Sequence, residues 1–232
     1  TYAQYQNPGT YKITPAGYSS GNYIITYKQG NLKVLDYNST LVAKVEAKGK
    51  TAGKLTWIKH SGAERYVVTM AKCNLKETKF HLKKIKTVNA KTLTFTKKGL
   101  KKNSLYKFRI LAQKKINGKY KTIAKSKIMH FVTANQNKKW TNQKALKVNK
   151  TKLNLKVGEK FQIKATYKLE VKGKKPIRDD HTKDLRYLST NKKVAKVNKK
   201  GVVTAKAPGY CKIYTQTVNG KWKAITVTTV TK

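Results

Sequence analysis

Apolar and polar side chains alternate with a period of two through most of the chain, the pattern of strands buried on one face. Residues 100–112 show it most clearly. There Tyr106, Phe108, Ile110 and Ala112 alternate with Leu105, Lys107, Arg109 and Leu111, which predicts the first set inward and the second outward. Upstream, residues 41–47 read as a strand, Leu55 with Trp57 and Tyr66 with Val68 and Met70 as inward sets, and Leu93 with Phe95 as another. Near residue 130 the parity is open, because Ile128, His130, Val132 and Met129, Phe131 are both plausible inward sets. Asn117-Gly118 is a hairpin turn signal. Beyond a polar stretch at 135–144, read as a linker with Trp140 pinned to one side, alternation resumes. Leu153, Leu155 and Val157 precede Gly158-Glu159, and Phe161, Ile163 and Ala165 follow it.

The closing hairpin and the N-terminal segment allow finer expectations. Ile213 and Ile225 both belong inward, which a two-residue Asn219-Gly220 turn forbids. A three-residue loop at 218–220 with Gly220 left-handed restores the register, and Tyr210, Lys212, Tyr214 and Trp222 then point away from the core. At the other end, residues 9–15 predict a short strand, and 22–28 with 31–35 a hairpin around Gln29-Gly30.

Three stretches resemble known families. Leu100, six residues before Tyr106, has the spacing of a tyrosine corner, in which a strand-opening tyrosine bonds back to the preceding turn. With Trp57 and Tyr66 this makes residues 41–134 resemble a fibronectin type III module, although the Arg-Gly-Asp of its integrin-binding members is absent. Residues 145–232 resemble a group 2 bacterial immunoglobulin-like domain. The run from Tyr187 through Ser189, Asn191, Val194, Ala195 and Val197 carries the likeness, as do Gly201-Val202-Val203-Thr204-Ala205 and Pro208-Gly209. Tyr187 stands where that family has tryptophan, and the connection at 169–184 is longer and more charged than is usual there. Residues 1–40 are similar to the C-terminal half of an MBG-type adhesin repeat. The resulting expectation is an all-β chain: a short partial β segment, then two tandem immunoglobulin-like β-sandwiches.

Charge narrows the function. The net charge is +45, with 54 Lys and Arg against nine acids, yet the arginines are Arg65, Arg109, Arg178 and Arg186 alone. Lysine is a strongly hydrated point charge, whereas base reading favours the planar guanidinium fork, so the balance argues for loose attraction to polyanions over sequence-specific nucleic-acid binding. No apolar run approaches the length of about 20 residues that a membrane helix needs, and Thr1 opens no signal-peptide pattern.

Candidate chemistry is sparse. Asp179, Asp180, His181 and Asp184 form the one acidic cluster and are candidate Ca²⁺ or Zn²⁺ ligands, although their spacing fits no recognised metal motif and Lys172, Lys174, Lys175, Arg178 and Lys183 compete as partners. Tyr214 and Trp222, diagonal neighbours beside Lys212 and Tyr210, read first as packing on the middle module or on the long loop; the alternative makes the group candidates to stack on a sugar ring or a base. Cys211 has inward parity and reads as a buried thiol, and neither it nor Cys73 sits in an obvious Cys-His pair. No nucleophile elbow, zincin or Walker motif is present, and the first 158 residues hold only Asp36, Glu46, Glu64 and Glu77 as acids.

These readings point to a non-enzymatic chain without cofactor. The resemblances imply an extracellular, surface-attached bacterial protein whose partners are host or cell-wall glycans, other anionic polymers, or neighbouring surface-protein domains. Two alternatives share the composition: accessory modules of a secreted carbohydrate-active enzyme or peptidase, and a purely cationic polyanion binder.

Overall fold

The computed structural model describes residues 9–34, 40–73, 81–177 and 183–231. Within them the chain is almost entirely strand, with one 3₁₀ turn at Thr133–Asn135.

The first sandwich has the architecture its alternation predicts. One sheet pairs Ala43–Lys48, Ala52–Trp57 and Thr94–Lys97. The facing sheet runs through Lys119–Ser126, Leu105–Ile116, Arg65–Lys72 and Lys83–Asn89, with Met129–Val132 also on Leu105–Ile116. Thr40–Leu41 pairs parallel with Lys119–Ser126, so the predicted 41–47 strand changes sheets at Val42. Leu55, Trp57, Tyr66, Val68, Tyr106, Phe108, Ile110 and Ala112 converge in the core, with Met129 and Phe131 completing it. The Asn117-Gly118 turn has both residues left-handed, as a two-residue primed hairpin requires.

The tyrosine corner is formed. Tyr106 Oη accepts from Lys101 N–H at 2.9 Å, with Leu100 buried beneath the turn. A second hydroxyl works the same way, Tyr66 Oη accepting from His60 N–H at 2.8 Å. Removing one such bond costs about 1 kcal/mol, so Tyr106→Phe is expected to lower the melting temperature by a few degrees and leave polyanion binding unchanged. A thermal melt beside a heparin column reads both.

The second sandwich stacks Lys152–Lys156, Trp222–Val230, Gly209–Thr217 and Leu185–Ser189 over Lys160–Gln162, Val202–Ala205 and Ala195–Val197, with Gln143–Val148 paired to Ala165–Leu169. Ile213 lies opposite Ile225, Gly220 has φ +86°, and Thr217 N–H reaches Lys221 O, which is the predicted three-residue loop. The Tyr187 ring lies over Gly201, where a Cβ would approach within 2.7 Å.

The N-terminal hairpin differs from expectation. Gly30–Val34 pairs with Gly9–Ile13, and residues 22–28 form no strand. The predicted turn needed Gly30 at positive φ, whereas Gly30 is extended and begins a strand.

A cationic joint as candidate functional site

The polar tip of the closing hairpin is where the two sandwiches meet. Asn219 is buried, donating from Nδ2 to Gln143 O at 3.1 Å and accepting at Oδ1 from Thr217 Oγ1 at 2.7 Å. Its carbonyl accepts from Val45 N–H at 2.8 Å, and Val218 O accepts from His130 N–H at 3.1 Å. Gln216 Nε2 donates to Ala43 O at 3.2 Å, and Gln143 Oε1 accepts from Val218 N–H at 2.8 Å. Asn142 imitates a strand edge, accepting from Val132 N–H at 2.9 Å and donating back to Val132 O at 2.7 Å. Arg186 spans the joint, giving Nη1 to Ile128 O and Nη2 to Thr217 O and Val218 O. Buried amides and carbonyls without partners are costly, so this web specifies one docking geometry.

Apolar contacts flank the web. Val42 and Ile58 of the first sandwich meet Leu188, Tyr214, Trp222 and Ala224 of the second. Val132 and Leu105 meet Val218, Ile177 and Trp140. Both faces of Met129–Val132 are therefore buried, one in the core and one at the joint, which resolves the open parity there. Residues 141–143 of the predicted linker are buried in the same contact, and Trp140–Thr141 pairs with Lys175–Pro176.

The sequence-predicted ligand residues separate accordingly. Tyr214 is 8% exposed against Val42 and its neighbours, so its ring packs between the sandwiches. Trp222 is half-buried there, and Lys44 Nζ lies over its ring, 5.9 Å from the centroid. Lys212 and Tyr210 lie two and four residues before Tyr214, both half-buried, and line neither of the clefts described below. Of the acidic cluster, Asp179, Asp180 and His181 lie outside the described residues. Asp184 accepts from Tyr167 Oη at 2.9 Å, and among the described residues no group of three metal-ligating side chains occurs.

Two positions carry chemistry that spacing did not disclose. Cys73 Sγ lies 3.7 Å from His130 Nδ1 across 57 residues of chain. Lys107, opposite His130 on the adjoining strand, has the predicted outward parity but is buried. Both cysteines are thiols, and burial pushes that of Cys211 up to about 11.

Two clefts open at the joint, and both are cationic. One, of about 440 Å³, is lined by Lys44, Lys144, Leu146, Lys221, Trp222 and Lys223. Glu46 sits beside two of these lysines, with Lys44 Nζ 2.6 Å from Oε2 and Lys221 Nζ 2.5 Å from Oε1. Burial alone would raise the Glu46 carboxyl, but the hydrogen bonds and charges of Lys221 and Lys44 hold it below its ordinary range. The other cleft, of about 400 Å³, brings Arg109, Lys127, Ile128 and His130 from the first sandwich against Leu185, Arg186, Tyr187, Val197 and Lys199 from the second.

Comparison with known proteins places the second sandwich. Residues 143–228 match the model of the bacterial Ig-like domain, group 2. That span holds the Tyr187–Gly201 contact and the hairpin that enters the joint. Solved structures similar to the chain include fibronectin type III domains. The FN5 domain of Drosophila Lar is 16% identical over 41% of this chain and 96% of that one, with a TM-score of 0.32. The domain from human fibronectin type III domain containing protein 3 is 22% identical over 41% and 85%, with a TM-score of 0.33. That of human contactin 1 is 11% identical over 53% and 94%, with a TM-score of 0.32. No curated protein matches the chain.

Proposed function

We propose that this chain is a non-catalytic adhesion or scaffold region of an extracellular bacterial surface protein, in which two sandwich modules, at 41–134 and 145–232, hold anionic polymers or glycans. The joint is the observation that carries the reading. Hydrogen bonds that Gln216 and Arg186 donate to the first sandwich, and that Asn219 O accepts from it, keep the cations of both modules in one fixed arrangement. A polymer spanning the joint then meets charges at constant spacing, so successive contacts add without a reordering cost at each one. The bacterial Ig-like match at 143–228 supports the surface setting. No helix among the described residues is long and apolar enough to cross a membrane.

Heparin serves as a surrogate polyanion for the test. Neutralising several phosphate- or sulfate-like charges makes affinity fall steeply with salt, so the intact chain is expected to bind at about 50 mM salt and to lose about 10³-fold by about 200 mM. Failure to bind at low salt would refute the polyanion reading.

A further inference from the structure

The two clefts at the joint differ in one decisive respect. Beside the Trp222 cleft stands Glu46, already paired with Lys44 and Lys221, so much of its positive charge is answered within the protein. Arg109, Lys127, Lys183, Arg186 and Lys199 converge on the other cleft, and among the described residues no carboxylate lines it. Arg109 Nε is a buried donor without an acceptor among the described residues, the kind of group that is ordinarily satisfied by water, an ion or a ligand. Lys127 feels the same crowding: desolvation, then the charges of Arg186, Lys192, Arg109 and Lys199, pull its ammonium below the usual lysine range.

The remaining wall is apolar. Ile128, Leu185, Val197 and the ring of Tyr187 form it, and Tyr187 is held in place by its packing over Gly201. A volume of about 400 Å³ falls in the range of small-ligand sites. Cations on one side and an aliphatic and aromatic surface on the other fit a compact anion carried on a ring: the anion meets guanidinium and ammonium donors, and the ring's C–H face meets Tyr187 and its neighbours.

We infer that this cleft is a binding site for one negatively charged saccharide unit, bearing a carboxylate or a phosphate, contacted by Arg109, Lys127 and Lys199 and packed on Tyr187. The inference rests on the polyanion reading above and assigns it a site. Because both modules build the cleft, the site exists only while the joint is closed.

Glucuronate and glucose 6-phosphate are the probes, and glucose is the neutral control, titrated against the ¹⁵N-labelled full chain at about 150 mM salt to suppress loose attraction. Saturable shifts centred on Ile128, Leu185, Tyr187 and Val197 are expected with one or both charged probes and not with glucose, and the responding probe distinguishes carboxylate from phosphate. Arg109→Gln with Lys127→Gln should weaken binding about tenfold or more. Lys114→Gln with Lys115→Gln, an equal charge loss at exposed positions, should change it less than about twofold. A thermal melt of each variant verifies folding. Equal losses in the two variants, or no saturable shifts while heparin retention persists, would overturn the site and leave the polyanion reading standing. Absence of heparin retention would remove that reading itself.

Discussion

Gly220→Ala is expected to cost on the order of 4 kcal/mol and to uncouple the two sandwiches. Two effects combine. At φ +86° an L side chain is strained by roughly 1–2 kcal/mol. The new Cβ would also stand 2.2 Å from Ala43 O, 2.8 Å from Lys44 Cα and 3.0 Å from Met129 Cγ. Two of those atoms are backbone, so relief requires the hairpin tip to withdraw from the first sandwich. Withdrawal breaks the Val45–Asn219 bond and the reach of Gln216 to Ala43. Gly118→Ala is the matched control: its φ is +77° with nothing within 4 Å, so it pays strain alone. For a chain of this size each kcal/mol moves the melting temperature about 2–4 °C, which puts the expected loss at about 8–16 °C for Gly220→Ala and about 2–8 °C for Gly118→Ala. Equal shifts in the two variants would show that the contact at Ala43 contributes nothing.

Arg186→Lys keeps the charge and is still expected to cost about 2 kcal/mol. The guanidinium reaches one carbonyl of the first sandwich and two of the hairpin with separate nitrogens, a geometry that a single ammonium cannot reproduce. Because Gly220 and Arg186 hold the same joint, their effects should not add. Once Gly220→Ala has opened the joint, Arg186→Lys should cost less than it does alone. Additive losses in a double-mutant cycle would mean that the two residues stabilise separate structures.

Side-chain parity made much of the fold legible. The inward sets of both sandwiches, the tyrosine corner at Tyr106 and the three-residue loop ending in Gly220 follow from alternation and turn chemistry, which are local. The polar web of the joint was not legible, for physical reasons. Asn142, Gln143 and Asn219 lie in stretches that read as linker or turn, yet they and Gln216 are buried because each finds backbone partners, Asn142 at Val132 and the other three on segments distant in sequence. The ambiguous parity at residues 128–132 was itself a trace of the joint, since a strand covered on both faces has no solvent side to betray its orientation. The apolar flank was legible: Tyr214 and Trp222 showed outward parity, one reading of which was packing on the middle module, and that is where they lie. The cationic cleft was hidden: Arg109 and Lys199 are ordinary outward residues until the two sandwiches are set together. At the N-terminus, Gly30 marked a turn by residue type but was used as strand.

The joint makes the two sandwiches one body carrying one cationic surface. ¹⁵N relaxation across the intact chain tests it most directly, because amide relaxation reports how each module tumbles. A single rotational diffusion tensor is expected for residues 40–73, 81–177 and 183–231, splitting into two in Gly220→Ala. Two independent tensors in the unsubstituted protein, each with the short correlation time of a lone sandwich, would contradict it.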